Sequence, residues 1–417
     1  MSVKPAVIPA VRTAATTYAI AWGFAAVFYF LEYASRSAPA VMLPELEQAF
    51  GVTTLALSSI LGLYYYTYST TSLVAGILLD PFGARYVAPA GMALLALGCV
   101  LFAMPAVSLG DAGRLLQGAG SAFAFTSAVY LASRGFSAKS LATAIGFTQC
   151  FGMLGGSMGQ IAVGPLIHGF ANIHQFWTGL GIVVLVVAVG LMIVTPREHH
   201  TTTASEKRDF LAPYKVVLSN PQSYLCGIVS GLLFAPTTIG DMVWGVRLFQ
   251  VDRLFSYHDA VFAISMVPFG WVFGCPLFGW LADALHRRKV ALLIGVSGML
   301  ACALQLTFLP GALPAWITLL IFGVASGAAM IPYTIIKEAN PDNVKGSATG
   351  AINFITFGVT ALLGPVFSKH IGKTIGASVT NPELHFFKSS LFWVAIITLA
   401  LLVSFTLRET GKPKVAS

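Results

Sequence analysis

Twelve apolar stretches, each about as long as a membrane is thick, dominate this sequence. Crossing a hydrocarbon core of about 30 Å takes roughly 20 apolar residues in a helix, so each stretch predicts one transmembrane helix. Of the 417 residues, 56% are hydrophobic and only 10% are charged, which is too little polar surface to enclose a water-soluble domain. We therefore predict an all-α membrane protein within a lipid bilayer. The predicted spans are centred near residues 30, 65, 95, 122, 155, 183, 235, 268, 298, 325, 358 and 396.

Positive charge is distributed unevenly between the two sides of the predicted membrane. If the N-terminus is cytoplasmic, 17 of the 24 Lys and Arg residues fall on the cytoplasmic side. Because cytoplasmic loops carry the excess of Lys and Arg, this favours a multi-pass protein of the cell membrane with both termini in the cytoplasm. The net charge of +8 then reflects topology, and no nucleic-acid partner is expected. The sequence has no Asn-x-Ser/Thr acceptor, which fits a bacterial inner membrane.

Patterns typical of enzymes and metal sites are missing from this sequence. The five cysteines stand singly in apolar stretches without metal-ligand spacing, so we expect them to be packing residues. There is no phosphate-cradling glycine loop and no nucleophile elbow. We therefore expect no enzymatic activity, no metal and no cofactor. The expected partners are a small-molecule substrate, protons or another coupling ion, and lipid, and we expect a monomer.

Two segments recur at nearly the same displacement, which indicates an internal duplication. GILLDPFGAR at 76–85 returns as GWLADALHRR at 279–288, and KSLATAIG at 139–146 returns as VKGSATG at 344–350. The displacements are 203 and 204 residues, about half of the chain, and such repeats are common in secondary transporters. We predict two pseudo-symmetric six-helix bundles, at 1–195 and 223–417, joined by a polar cytoplasmic linker at 196–222.

The repeated loop resembles a motif of the major facilitator superfamily, and the resemblance covers nearly the whole chain. The motif GxxxDxxGxR, which joins the second and third spans, is matched by Gly76, Asp80, Gly83 and Arg85. The second copy keeps Asp283 and the basic cluster that includes Arg287, but it lacks the later glycine. The resemblance implies two bundles that alternate access to the two sides of the membrane. It also implies that these six residues form a cytoplasmic gate, in which glycine allows close helix contact and the carboxylate caps or pairs across the interface.

Two opposite charges lie one helical turn apart inside the first apolar stretch. Glu32 and Arg36 are spaced i, i+4, so one interpretation is an intrahelical ion pair that merely neutralises itself. The other interpretation is functional. Arg36 would offer a forked donor to a carboxylate or phosphate, while Glu32 would take up a proton and modulate the charge of Arg36. The pair alone does not decide between them.

The residues around this pair resemble the first span of the anion:cation symporter branch of the superfamily. In YASRSAPAVMLPELEQAFGV, Tyr33 stands three residues before Arg36 and a proline follows. In that branch, arginines of the first and fourth spans contact an organic anion, which implies Arg36 and Arg114 here, the latter in RLLQGAG, a match to RxxxGxG of the fourth span. The branch usually has a proton-carrying glutamate after that GxG, where this chain has Ser121. Glu32 is therefore the candidate for proton coupling.

Further polar side chains are predicted to line a central cavity. LYYYTYSTTS at 63–72 places Tyr64 and Tyr68 on one helical stripe, for which aromatic packing between helices is the alternative explanation. Gln149 and Asn353 are related by the displacement of 204 residues, so symmetric lining of the cavity competes with interhelical hydrogen bonding.

Asp241 in the seventh stretch also has two interpretations. It could bind a substrate ammonium group, which would make the substrate an amino acid or short peptide, or it could pair with Arg247. The patterns together predict a secondary transporter that moves a small organic anion by proton-coupled symport. Two alternatives stay open: transport of a zwitterion, and a drug or metabolite:proton antiporter, whose glycine-proline pattern the fifth span loosely echoes.

Overall fold

The computed structural model describes residues 9–169, 171–197, 211–341, 344–375 and 382–411, without the side chains of residues 9–14, 80, 138, 139, 142, 372–375 and 382. Nearly all of this chain is α-helical. The α-helices are α1 (Pro9–Ser37), α2 (Leu43–Phe50), α3 (Thr54–Phe82), α4 (Ala84–Phe102), α5 (Val107–Gly135), α6 (Ala138–Ile161), α7 (Val163–Gly169), α8 (Ile173–Val194), α9 (Ala212–Leu218), α10 (Pro221–Ala235), α11 (Val246–Asp252), α12 (Tyr257–Ala284), α13 (Arg288–Phe308), α14 (Ala315–Ser326), α15 (Ile331–Glu338), α16 (Lys345–Ile375) and α17 (Pro382–Ser404). Tighter 3-10 turns at Ala38–Val41 and Gly327–Met330 and a wider π-helix at Pro236–Gly245 connect some of them.

Every predicted span centre lies inside a helix, and the all-α membrane fold is confirmed. In the described ranges, ten helical segments are long and apolar enough to cross a bilayer. The helices α1 and α3 are also long enough, at 29 residues each, but α1 contains Glu32 and Arg36 and α3 is rich in Tyr, Ser and Thr. Of these two helices, α3 is apolar enough to count as a membrane span only when it is taken together with α2. Polar residues within these two helices thus lower the hydropathy on which the span prediction depends.

The segment after α1 changes the direction of the chain before α3 begins. Pro39 lies in the 3-10 turn that ends α1, and α2 then buries Leu43, Leu46 and Phe50 on one face. Gly51 ends α2 in the left-handed conformation, with φ of 63°, which glycine adopts without steric cost. The chain bends by 100° between α2 and α3. This end of the bundle is called the Glu47 side below, and the opposite end, where α3 meets α4, is called the Arg85 side.

The chain forms two halves, α1 to α8 and α10 to α17, which pack on each other along two helix pairs. The most extensive contacts between the halves are those of α3 with α16 and of α6 with α12. Hydrogen bonds connect these elements: Ser69 Oγ donates to the Phe354 carbonyl at 2.7 Å, and Ser157 Oγ donates to the Ser265 carbonyl at 3.1 Å. Nearer the Glu47 side, the Tyr65 hydroxyl donates to the Thr238 carbonyl at 3.0 Å.

Part of the predicted linker is an ordered helix that packs on the bundle. α8 ends at Val194 and α10 begins at Pro221, while residues 198–210 lie outside the described ranges. Between them, α9 packs on α16, and the hydroxyl of its buried Tyr214 donates to the Leu73 carbonyl of α3 at 2.9 Å. The division into bundles at 1–195 and 223–417 stays a prediction.

Candidate substrate site

A polar and aromatic stripe on α1 is the foundation of the site. Tyr29, Glu32, Tyr33 and Arg36 are spaced i, i+3, i+4 and i+7, which places them on one face of a helix. All four are buried, and Glu32 and Arg36 are exposed by only 0% and 1%. Because α1 packs against α5, α6 and α8, this face is turned into the protein and away from lipid.

Glu32 and Arg36 form an ion pair inside α1, and Tyr64 of α3 completes it. Arg36 Nη2 donates to Glu32 Oε1, and the Tyr64 hydroxyl donates to the same oxygen. Arg36 Nε and Nη2 lie 3.3 and 3.2 Å from the Tyr64 oxygen. Two charged atoms remain without a hydrogen-bond partner, Glu32 Oε2 and Arg36 Nη1, although both are buried. The pair is therefore neutral overall, but its hydrogen-bonding capacity is incompletely used.

Aromatic rings surround the guanidinium group of Arg36. Its Cζ atom lies 4.3 Å from the ring centroid of Tyr33, 4.7 Å from that of Tyr68 and 5.2 Å from that of Phe357. The negative faces of such rings attract a cation, and the attraction grows when water is excluded. Phe357 belongs to α16, so both halves contribute to the surroundings of Arg36.

A small cavity lies between the two halves next to these rings. Its volume is about 10 Å³, close to the space that one water molecule needs. Each half contributes five lining residues: Tyr29, Tyr33, Tyr68, Phe125 and Gln149 from the first, and Phe234, Met330, Tyr333, Asn353 and Phe357 from the second. Gln149 accepts a hydrogen bond from Tyr29 at 3.2 Å, and Asn353 accepts one from Tyr333 at 2.6 Å. Both predicted amide residues thus lie on the cavity, although their role in binding stays a prediction.

Arg114 is buried beside the same aromatic cluster but outside the cavity lining. Its Cζ atom lies 4.9 Å from the Tyr64 ring centroid, and Arg36 lies 5.1 Å from that same centroid. Arg114 Nη1 donates to Gln117 Oε1 at 2.6 Å and Nη2 to the Leu61 carbonyl at 3.4 Å, while Nε has no partner. Within the described part of the chain, Arg114 forms no ion pair. Tyr64 is thus the common neighbour of both predicted anion-binding arginines.

Asp241 does not lie on the central cavity. It is buried in the π-helix, and the suggestion that it pairs with Arg247 is wrong. Arg247 Nη1 instead lies 3.1 Å from Glu47 Oε1, on α2 of the other half. Both Asp241 carboxylate oxygens are buried without a hydrogen-bond partner. The residue that neutralises Arg247 comes from 200 positions earlier, which the local sequence around Asp241 does not reveal.

Comparison with known proteins identifies the family. The sequence profile of the Major Facilitator Superfamily matches residues 25–365, which is most of the chain. This chain belongs to the Major Facilitator Superfamily. It is accordingly a multi-pass membrane protein and a secondary transporter of a small-molecule substrate, and not an enzyme.

Two bacterial transporters show distant sequence similarity to this chain over most of their length. The chain is 23% identical over 400 residues to the probable sulfoacetate transporter SauU of Cupriavidus necator, covering 85% of this chain and 87% of the relative. It is 24% identical over 361 residues to the uncharacterized transporter YybO of Bacillus subtilis, covering 84% of this chain and 75% of the relative.

Solved structures of other transporters show the same fold. A bacterial homologue of the human lysosomal transporter Spinster, crystallised inward-facing and unoccupied, superposes with a TM-score of 0.72 at 15% identity, covering 94% of this chain and 97% of that chain. The nucleoside transporter NupG superposes with a TM-score of 0.69 at 14% identity, covering 93% of this chain and 100% of that chain.

The superfamily loop motif lies at the Arg85 side. Gly83 connects α3 to α4 with φ of 68°, a conformation that favours glycine, and Arg85 donates to the Thr195 carbonyl beyond the end of α8. Gly76 faces the Tyr214 hydroxyl of α9. The side chain of Asp80 lies outside the described part, so its predicted role in the gate stays a prediction.

The second copy of the motif uses a different arginine from the one predicted. Asp283 pairs with Arg288, which also lies 3.1 Å from Glu338 of α15, whereas Arg287 is exposed at the start of α13. The displacement of 203 residues aligns Arg288 with Arg85, so that displacement, applied residue by residue, would have identified it. It also aligns His286 with Gly83, and His286 has φ of 51°. Both positions thus have a positive φ, although the second connection has no glycine there and is longer, with three residues between Ala284 and Arg288.

Several neighbours of the site were missed by the sequence analysis. Tyr29 could have been found, because it continues the stripe of Tyr33 and Arg36 by one turn. Phe357 and Tyr333 carry no comparable signal, since they approach α1 only after the two halves pack together. Gln117, the partner of Arg114, lies three residues after it, at the spacing of helix neighbours.

Proposed function

We propose that this transporter carries a small organic anion together with a proton, with Arg36 binding the anion and Glu32 binding the proton. The observation that supports this most is the buried pair of Glu32 and Arg36 beside the cavity, with one unpartnered polar atom on each residue. A purely structural ion pair would use these atoms. Here they are free to bind a ligand on one residue and a proton on the other.

Charge balance explains how the two ligands would be coupled. An ionised Glu32 neutralises Arg36 and competes with any anion for the same guanidinium group. Protonation of Glu32 releases Arg36, and a buried unpaired cation is costly. A substrate carboxylate or sulfonate then restores neutrality and uses the forked donors of Arg36. Proton and anion would therefore bind together, which is the requirement for symport.

Arg114 extends this positive site. It lies behind Tyr64, has no acidic partner among the described residues, and would strengthen attraction of an anion into the cavity. The relation to a probable sulfoacetate transporter also favours an acidic substrate, because sulfoacetate carries a sulfonate and a carboxylate group. Tyr33, Tyr68, Gln149 and Asn353 would contact the rest of the substrate from the cavity wall. The alternative with a zwitterionic substrate depended on Asp241, which does not line this cavity.

The cavity must widen before such a substrate can enter. A volume of about 10 Å³ excludes an organic acid, so the described conformation is closed around the site. Separation of the halves on one side, about the α3–α16 and α6–α12 contacts, would open it. We propose that the Arg85 side faces the cytoplasm of a bacterial cell, in agreement with the distribution of Lys and Arg.

Transport in proteoliposomes tests this proposal directly. An inward proton gradient should drive accumulation of an organic acid from a panel that includes sulfoacetate and small dicarboxylates. Glu32→Gln mimics the protonated state, so it should abolish accumulation driven by the gradient and spare counterflow of labelled substrate without a gradient. Export of hydrophobic cations with no uptake of any acid would favour the antiporter alternative and overturn the proposal.

A double variant separates mechanism from structure. If the pair is an inert structural element, each single variant loses folded protein, and Glu32→Gln with Arg36→Leu recovers both the fold and gradient-driven uptake. Our proposal expects the double variant to fold but not to accumulate substrate. Uptake restored to the unmodified level would contradict the assignment of both residues.

A further inference from the structure

A second buried carboxyl group lies between the two halves, away from the proposed substrate site. Asp241 is exposed by only 4%, and Gln160 of α6 in the other half is exposed by 0%. The two side chains are neighbours, yet neither oxygen of Asp241 and neither polar atom of Gln160 forms a well-directed hydrogen bond. Four buried polar atoms without partners at one point of the interface require an explanation.

The face of α6 that carries Gln160 contacts the second half directly. Gly156 packs close to Met242 and Pro268, and Ser157 donates to the Ser265 carbonyl. Gln160 lies about one turn further toward the Glu47 side on the same helix, because residues i and i+4 share a face. Asp241 and Gln160 therefore meet across the contact that must separate when the Glu47 side opens.

The backbone around Asp241 is adapted to this position. Pro236–Gly245 forms a π-helix, and such segments occur frequently at functional sites because they redirect side chains and backbone groups. The Thr238 carbonyl in this segment accepts a hydrogen bond from the hydroxyl of Tyr65 in the first half. Asp241 also borders a cavity of about 90 Å³ in the second half, whose wall is mainly apolar, with Leu248, Ile264 and Phe322. An apolar cavity stays dry and does not hydrate a carboxylate.

Among the residues that the structure describes, no charged group pairs with Asp241. The nearby charges on packed elements are already paired: Arg36 with Glu32 on α1, Arg247 with Glu47, and Asp252 of α11 with His385 of α17. The Tyr257 hydroxyl of α12 donates to the Val41 carbonyl. No other titratable side chain described on the packed helices forms an ion pair with Asp241. Those side chains include Tyr29, Tyr33, Tyr65, Cys150, Tyr224, Cys226, His258, Asp259, Cys275, Asp283, Lys345, Lys369, His370, Glu383 and Lys388.

We propose that Asp241 is a second proton-binding site, occupied when the Glu47 side is closed, with the Gln160 amide oxygen as its hydrogen-bond acceptor. A neutral carboxyl group has a hydroxyl to donate, whereas a buried carboxylate without a cation is costly. One amide oxygen and one carboxyl group supply too few ligands for a bare metal cation, so a proton fits the site best. When the halves separate on the Glu47 side, water reaches Asp241 and the proton can leave.

This site would link closure of the Glu47 side to proton uptake without involving the substrate. It goes beyond the proposed function, because Glu32 couples a proton to the anion whereas Asp241 couples one to the position of the halves. The two proposals can fail separately, since the protonation state of Asp241 is measurable without knowing the substrate.

Infrared spectroscopy of the purified full-length protein at neutral pH tests the proposal. The unmodified protein should show the carbonyl band of a protonated carboxyl group, and Asp241→Asn should lose it. Asp252→Asn is the matched control, because Asp252 is a buried carboxylate of the same transmembrane segment that is already paired with His385. That control should lose no such band. A spectrum in which Asp241→Asn removes only carboxylate absorption would overturn the proposal.

Three further measurements protect the test against misfolding. Gln160→Leu removes the acceptor but keeps the carboxyl group, so the band should persist and shift to higher frequency. An unshifted band would exclude Gln160 as the acceptor.

In protein whose five native cysteines are replaced, Glu47→Cys and Arg247→Cys can be joined by a short bifunctional thiol reagent. The joined protein should keep the band to higher pH than the unjoined protein, and identical titrations would refute the link to closure. A melting temperature that rises with Na⁺ in the unmodified protein but not in Asp241→Asn, with no band present, would identify a sodium site instead.

Discussion

Substitution of Arg36 by lysine keeps the positive charge and removes the planar guanidinium group. Arg36 uses Nε and Nη2 on Tyr64 and Glu32, and Nη1 remains available. Lysine has a single nitrogen, so it cannot bind Glu32, Tyr64 and an anion with the same geometry. The variant therefore tests geometry separately from charge.

The expected loss of anion affinity follows from the hydrogen bonds that lysine cannot form. One hydrogen bond between charged groups contributes about 1.5–3 kcal/mol, and about 1.4 kcal/mol corresponds to a tenfold change in affinity. We therefore expect Arg36→Lys to weaken anion binding by about 10- to 100-fold. The ammonium group can still lie against the rings of Tyr33 and Tyr68, so we expect only a modest loss of stability.

Binding of the transported acid, measured by calorimetry or by the rise in melting temperature, gives the affinity. Arg247→Lys is the matched control, because Arg247 pairs with Glu47 outside the central cavity and is partly exposed. An exposed pair of this kind contributes at most about 1 kcal/mol to stability. Arg247→Lys should therefore weaken binding of the acid by less than about fivefold. If Arg36→Lys binds as tightly as the control, Arg36 does not grip the anion through its forked geometry.

Three other substitutions test the packing and the gate. A methyl group at Gly118 would overlap the Tyr64 carbonyl oxygen and lie 2.9 Å from the carbonyl carbon. Gly118→Ala should therefore lower the free energy of unfolding by about 1–3 kcal/mol, seen as a lower melting temperature. Gly146 has open space around it, so the control Gly146→Ala should not lower the melting temperature. Asp80→Asn should slow transport in proteoliposomes and leave substrate affinity nearly unchanged, and a large loss of affinity would place Asp80 at the binding site. Arg288→Ala removes contacts with Asp283 and Glu338 that contribute about 1 kcal/mol to stability, and it should alter the transport rate. The control Arg287→Ala should transport like the unmodified protein. Equal effects of the two substitutions would show that the contacts of Arg288 do not matter for transport.

The membrane architecture could be predicted from the sequence because hydrophobic length is a local property. A run of about 20 apolar residues has one stable solution in a bilayer, which is a helix that satisfies its own backbone hydrogen bonds. The stripe of α1 was readable for the same reason, since Glu32 and Arg36 are neighbours on one helix before any tertiary contact forms. The second copy of the loop motif, at 279–288, could be located from the repeat alone.

Contacts between distant segments were not readable in this way. Arg247 selects Glu47 rather than Asp241 because α2 folds over the end of the bundle, and nothing near Arg247 in sequence indicates that contact. The contact of Arg288 with Glu338 likewise joins α13 to a residue 50 positions later in the chain. Docking of Tyr214 against α3 likewise depends on how the two halves meet.

The ion pair within α1 also has a consequence for biosynthesis. α1 is synthesised before α3 and α16, which later surround Glu32 and Arg36 with Tyr64 and Phe357. Each charge alone would oppose insertion of this helix into the membrane. Because the two residues are four positions apart, they can neutralise each other as soon as the helix forms, without help from any other segment. A carboxylate supplied by a later helix would have left Arg36 unpaired during insertion. The spacing on which the proposed proton coupling depends would thus also let both charges enter the bilayer as a neutral pair.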